Sequence, residues 1–375
     1  MYIDDENLAV VIDNGSGSCR VGLSWYEIPI YCFPAVVGKP KDEGMIGKDS
    51  KDVYVGDEAL AKRGLLKIQS PFQNGLIKNW EDMESIWNHA FFNELRINPK
   101  DHPVLLTEPM FFQESSREKA TQVFFETFNV PKFQVHNEAL LALYSFGRTT
   151  GFVVQSGESC TYTIPIIEGQ VISYAALRIC LAGNACTEYF VRILNELEIS
   201  LESPTDMKIA RDMKEKLCYV ALNYEEEMKI YKESKAKNKP YELPDGNILV
   251  IEDQMFRCPE LLFKPKLNGF EVGGIYELTY NQIQKCPQES RRDIYRSIFL
   301  SGGTTLFPGF KQRFERELDK IVPSQMKIKV DASPESRYLP WIGGKILSSL
   351  VPFQNQWITR SEYDENGPTI VHRKR

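Results

Sequence analysis

Apolar runs that stop at glycine-rich polar turns recur along this chain. Residues 8–12 are apolar throughout and end at Asp13-Asn14-Gly15-Ser16-Gly17, after which Arg20-Val21-Gly22-Leu23 resumes an extended pattern. A short apolar run, a turn of small polar residues and a second run predict a hairpin. The pattern returns where Phe152-Val153-Val154 leads into Gln155-Ser156-Gly157-Glu158-Ser159-Cys160-Thr161. Recurrence at that distance predicts two similar domains rather than a solenoid. A third run, Phe299-Leu300, enters Ser301-Gly302-Gly303-Thr304-Thr305. Residues 104–106 read as one more buried strand, and residues 241–250 as a hairpin turning at Asp245-Gly246.

Helical spacing fills the intervals. Met83, Ile86, Trp87, Ala90 and Phe91 recur on one face of residues 80–94, with Asn79 placed to cap them. Residues 115–128 predict a helix opened by a capping box of Ser115 and Glu118. Further helices are expected at 138–145, 187–197 and 206–221, and from near Pro308. Residues 39–52 are polar and punctuated by glycine, as in an exposed loop, and the charged run 225–239 reads as a solvated face or loop. Strands alternating with helices mean α/β.

Charge and cysteine usage narrow the function classes. Lys and Arg total 45 against 51 Asp and Glu, a net charge of −6, which argues against gripping nucleic acid. No apolar stretch approaches the roughly 20 residues of a membrane helix, and the acidic residues 1–6 lack a leader pattern. Neither nucleic-acid nor membrane partners are expected. Cys19, Cys32, Cys160, Cys180, Cys186, Cys218, Cys258 and Cys286 contain no C-x-x-C pair, so buried reduced thiols are expected rather than zinc.

The three glycine loops carry the candidate chemistry. Glycine lets backbone N–H groups converge on an anion, and serine hydroxyls add donors. No P-loop and no complete G-x-G-x-x-G is present. Taken singly, each loop is more simply a turn. Two related loops, at Gly15 and Gly157, could grip the phosphates of one nucleotide from both sides.

Along essentially its whole length the chain resembles actins and actin-related proteins. The resemblance is carried by Val10-Val11-Ile12-Asp13-Asn14-Gly15-Ser16-Gly17, Tyr54-Val55-Gly56-Asp57-Glu58-Ala59, Lys214-Glu215-Lys216-Leu217-Cys218-Tyr219-Val220-Ala221, Tyr241-Glu242-Leu243-Pro244-Asp245-Gly246, Leu300-Ser301-Gly302-Gly303-Thr304-Thr305 and Trp341-Ile342-Gly343-Gly344. It implies the α/β fold shared with hexokinase and Hsp70 ATPases: two duplicated domains around a nucleotide cleft, divided into four subdomains. Subdomain 1 would comprise residues 1–33, 71–145 and 339–375, and subdomain 2 residues 34–70. Subdomain 3 would comprise 146–182 and 271–338, and subdomain 4 residues 183–270.

The same resemblance implies ATP or ADP with Mg²⁺. Gly15, Ser16, Gly17 and Arg20 would form the first phosphate loop, with Arg20 where actins usually have Lys. Gly157 and Glu158 would form the second, Glu158 replacing an Asp. Gly183, Arg211, Lys214 and Glu215 would border the adenosine, and Gly303, Thr304, Leu306, Phe307 and Arg337 would close the pocket. Asp13 would hold the metal through water. From the residues alone, Arg211, Lys214 and Glu215 read instead as a surface helix with salt bridges.

Departures from the family fall where actins orient the hydrolytic water with Gln, Asp and His. Those positions hold Glu138, Gln155 and Tyr162. Gln155 removes a carboxylate from the metal's surroundings, and Tyr162 has no basicity near neutral pH. Glu138 sets a carboxylate beside the γ-phosphate; at about 5 Å and an effective dielectric near 20 the repulsion is roughly 3 kcal/mol. Slow or lost hydrolysis is therefore expected, against the alternatives of neutral drift or of Glu138 as a general base. Residues 39–52 correspond to the actin loop that inserts into the next subunit, and here they are rich in charge. Weak self-association is expected. By the same resemblance a peptide-receiving cleft formed by Tyr144, Gly147, Thr149, Gly169, Leu347 and Leu350 would be retained; from the residues alone these read as ordinary core at a domain junction.

The expected role is a structural subunit of a cytoskeletal or motor-associated assembly in the cytoplasm, with other proteins of that assembly, conventional actin among them, as partners. A conventional polymerising ATPase and a subunit of a nuclear chromatin-remodelling complex are the alternatives. A metabolite kinase of the same fold class is remote.

Overall fold

A computed structural model describes residues 8–41, 51–197, 199, 204–234 and 238–374. The chain divides into two units, Met1–Thr149 with Tyr338–Arg375, and Thr150–Arg337. Most of the inserting loop, residues 42–50, lies outside the described residues, as do the acidic residues 1–6.

In the first unit six strands run in the order Ile358–Thr359, Lys132–Asn137, Val104–Glu108, Val10–Asn14, Ser18–Leu23, Tyr31–Pro34. Val10–Asn14 pairs antiparallel with Ser18–Leu23 and parallel with Val104–Glu108. Side chains alternate across a sheet. Val10, Ile12, Val104 and Leu106 pack with Met83, Ile86 and Trp87, whereas Val11 and Leu105 pack with Leu141 and Trp341. Both faces are covered, which is why these strands read as uninterrupted apolar runs.

The second unit repeats the plan. Its order is Gln170–Val171, Thr161–Ile167, Gly151–Ser156, Ile298–Ser301, Val330–Ala332. Gly151–Ser156 is antiparallel to Thr161–Ile167 and parallel to Ile298–Ser301. The same sequence of antiparallel and parallel neighbours in both sheets is the duplication predicted from the repeated glycine turns.

Most helices fall where periodicity put them. Trp80–His89 is capped by Asn79, whose side chain accepts from the Asp82 amide, and Glu138–Ser145 matches its expected span. Other boundaries differ. The helix expected from Ser115 begins at Glu114 behind Gln113, so Ser115 lies inside the first turn and the Ser115–Glu118 box does not cap it. The helix expected from Thr187 begins at Gly183. The charged run expected as a face or loop contains a helix, Tyr224–Ser234, with no buried residue. Lys39 and Pro40, expected in an exposed loop, end the Val37–Pro40 strand, which pairs with Leu66–Gln69.

Two glycine contacts fix the packing. Gly343, on the Leu339–Ser349 helix, lets that backbone touch the Glu138–Ser145 helix; a Cβ there would overlap the Leu141 carbonyl oxygen. Gly302 has a φ of +90°, and a Cβ on it would overlap the Ser156 carbonyl. Only glycine meets both demands at that turn.

Candidate functional site

In the first unit the Val10–Asn14 strand ends at the candidate metal carboxylate. The parallel register ends with Ile12 beside Leu106, and the next residues on the two strands, Asp13 and Thr107, meet through their side chains. Asp13 is buried, and Thr107 Oγ1 donates to its Oδ1 at 2.8 Å. Arg20, its antiparallel partner across the hairpin, donates from Nη1 to Asp13 Oδ2 at 2.7 Å. Burial pulls the Arg20 pKa down, but the charge and hydrogen bond of Asp13 more than offset it, so the group is held above its ordinary value. Glu138 adds to that electrostatic hold. It starts its helix behind the Asn137 cap, where the dipole favours a carboxylate. Asp13, Arg20 and Glu138 therefore form one largely buried charged group beside Gly15, Ser16 and Gly17, with two acids around one partly exposed guanidinium.

Thr107 was missed in the sequence. Its signal was faint: a polar residue extending an apolar strand by one step, visible only once the parallel register is known.

In the second unit the Gly157 turn is stitched to the start of the Gly183–Leu194 helix. The Gly183 amide donates to the Gly157 carbonyl at 3.0 Å and the Asn184 amide to the Glu158 carbonyl at 2.7 Å. Thr304 Oγ1 donates to the same Gly157 carbonyl at 2.6 Å. Lys214 is buried and donates from Nζ to the Gly183 carbonyl and to Thr187 Oγ1, each at 2.8 Å. The surface-helix reading fails for Lys214, which ties its helix to this corner. It holds for its neighbours: Arg211 bridges Glu158 and Glu215, at 3.2 and 3.0 Å, and Arg337 reaches Glu215 at 3.4 Å. Gly303 lies near the Arg337 guanidinium. Leu306 is exposed, while Phe307 is buried in the unit's core.

Gln155 and Tyr162 are directly opposed across the antiparallel pair Gly151–Ser156 and Thr161–Ile167, and both are buried. Directly opposed residues share one face of a sheet. Arg178 opposes Tyr162 on its other side, through the Leu177–Ile179 strand.

The donor set fits a nucleotide that brings its own cation. No cluster of three His, Cys, Asp or Glu suited to a metal occurs among the described residues. A cation beside Asp13 would keep water and phosphate ligands, as Mg²⁺ does. Arg20 Nε is buried and has no hydrogen-bond partner among the described residues, so the guanidinium can still serve an anion.

Of the expected peptide-cleft residues, Tyr144 packs with Leu347 in the cluster around Trp341, and Leu347 is only 9% exposed. Leu350 is 48% exposed. Gly147 has a positive φ with open space around it, and Gly169 turns the chain before Gln170–Val171. Thr149 is exposed and is the last residue of the first unit's opening segment.

Among the described residues no helix is long and apolar enough to cross a membrane. Compared with known families, residues 4–375 match a family model described as Actin.

Proposed function

The chain belongs to the actin family, and from that premise we propose that it binds an adenine nucleotide with Mg²⁺, turns it over slowly or not at all, and serves as a structural subunit of a cytoskeletal or motor-associated assembly. Proteins of this family bind an adenine nucleotide and a divalent cation and work with other proteins. The observation that carries the finer reading is the Asp13, Arg20 and Glu138 group. Asp13 is already held by Arg20 and Thr107, and Glu138 adds a carboxylate where the family has a neutral amide.

In this reading Gly15, Ser16, Gly17 and Arg20 serve phosphate oxygens. In the second unit the donors of the Gly157 turn are the Glu158 amide and Arg211, which pairs with the Glu158 carboxylate, while the Gly157 amide donates to the Cys160 carbonyl. Lys214 braces the Gly183 corner. The cation, when bound, supplies positive charge to the phosphates. Glu138, Gln155 and Tyr162 offer no neutral-pH base paired with a metal-supporting carboxylate, so binding is kept while water orientation is lost. The four-subdomain division, weak self-association and a cytoplasmic, cytoskeletal setting belong to the same proposal. The charge of residues 39–52 supports the second of these, because charge is depleted from interface cores.

A partner helix docking against Tyr144 and Leu350 is the proposed means of assembly. Leu347 cannot test this, because an acid there would break the core. Leu350→Asp is the informative change. It should lower recovery of co-purifying chains at least tenfold while leaving the melting temperature within about 2 °C. Undiminished recovery would reject the docking site.

A further inference from the structure

Cys160 and Cys180 stand across from each other beside the second glycine loop. The ladder ends with Thr161 paired to Ile179, and Cys160 and Cys180 are the residues just beyond that last pair. The ladder pair beside them has Cα atoms about 4.5–5.5 Å apart, a spacing in the range a disulfide needs. Their sulfurs lie 3.6 Å apart. Closing that gap to the ~2.0 Å of an S–S bond takes a small side-chain movement. Arg178, on the same strand as Ile179, hydrogen-bonds the Cys160 sulfur. Burial pushes the Cys160 thiol up and Arg178 opposes that rise, so the buried sulfur suits the resolving role and exposed Cys180 the attacking one. Cys180 is exposed, which gives an oxidant access, whereas Cys160 is buried behind it.

We propose that Cys160 and Cys180 form a redox-active dithiol that closes to a disulfide under peroxide and clamps the Gly157 turn to the segment leading into Gly183. The Cys180 thiolate attacks the O–O bond of hydrogen peroxide, giving a sulfenic acid and, after protonation of the departing hydroxide, water. The Cys160 sulfur then attacks the sulfenic sulfur; S–S forms, S–O breaks, and a second water leaves. Two thiols are oxidised and one peroxide is reduced to two waters. A dithiol reductant reverses the step by exchange.

The clamp adds to bonds already present. Gly183 and Asn184 donate to Gly157 and Glu158, and the Gly157 amide donates to the Cys160 carbonyl. Thr161 Oγ1 reaches the Leu181 carbonyl at 2.5 Å. A covalent tie between residues 160 and 180 spans these contacts and holds the turn with or without a nucleotide. The buried Cys186, Cys218, Cys258 and Cys286 have no such access, and exposed Cys32 provides a single-thiol control.

The test treats the reduced, full-length protein with a few equivalents of hydrogen peroxide, blocks remaining thiols and maps the peptides by mass spectrometry without reduction. The expected result is a peptide joined through Cys160 and Cys180, released by dithiothreitol. Amide exchange around Gly157 and Gly183 should slow at least tenfold in the oxidised form. Cys160→Ser should leave Cys180 trapped as a sulfenic acid that reacts with dimedone, and Cys180→Ser should leave Cys160 unoxidised. Oxidation of Cys180 to sulfinic acid in the unsubstituted protein without a joined peptide would overturn the pairing. A joined peptide with unchanged exchange would overturn the clamp. Neither readout involves nucleotide.

Discussion

Replacing Glu138→Gln, Gln155→Asp and Tyr162→His together should accelerate single-turnover phosphate release by about a hundredfold. Phosphoryl transfer depends on positioning and on charge stabilisation, and a misplaced nucleophile alone costs about that factor. Gln155 and Tyr162 are cross-strand partners on one buried sheet face, so the second and third changes act as a unit. Glu138 is separate, coupled to Arg20, the partner of Asp13, in the other unit. Glu138→Gln leaves Arg20 paired with Asp13 and removes one of two acids around one base. The pair Gln155→Asp and Tyr162→His without it should therefore give only part of the gain. Equal release from the triple variant and the parent, at matched nucleotide saturation, would show that these three positions do not govern turnover.

The second large effect concerns stability. Arg313 and Glu260 are both buried, Glu260 with no exposure at all. Arg313 donates to both carboxylate oxygens at 3.1 and 3.0 Å, to Glu317 at 2.8 Å and to the Ala221 carbonyl at 2.7 Å. Burial raises the Glu260 pKa, and Arg313 is the strongest influence opposing it. Arg313→Met strands a buried carboxylate, an arrangement that typically costs about 3–5 kcal/mol. At about 2–4 °C per kcal/mol for a unit of this size, the melting temperature should fall by about 10 °C. The sign with pH follows from the carboxylate. Without Arg313 the Glu260 pKa rises further, so the loss should shrink as pH falls and Glu260 takes up a proton. Arg313→Met with Glu260→Leu should recover much of the stability. An unchanged melting temperature for the single variant would show that Lys264, 3.6 Å from Glu260, suffices as its partner.

The duplicated architecture was legible because its signals are local. Strands buried on both faces read as unbroken apolar runs, and the two repeated ones, Val10–Asn14 and Gly151–Ser156, each lead into a glycine turn. Where several distant groups set a boundary, the sequence was silent. The Gly183 helix starts four residues before its apolar face suggests, because Gly183 and Asn184 are held by the Gly157 turn. Ser115 and Glu118 have capping-box spacing, yet the chain turns into the helix at Gln113. Lys214 looked like one more charge on a surface helix, and only its bonds to Gly183 and Thr187 explain its burial. The chemical identity of the candidate site came from resemblance, while its internal pairing came from the strand ladders and the residues just beyond their ends: Asp13 with Arg20 and Thr107, Gln155 with Tyr162, and Cys160 with Cys180.

The central claim is nucleotide binding without brisk hydrolysis, and one measurement addresses both halves. Purified, full-length protein is loaded with ATP and Mg²⁺, freed of excess nucleotide, and sampled over hours for bound ATP, bound ADP and released phosphate. The account predicts close to one adenine nucleotide per chain, still mainly ATP, with its loss tracking dissociation rather than phosphate release. Protein that retains no nucleotide, or that converts its bound ATP to ADP within minutes, would contradict it.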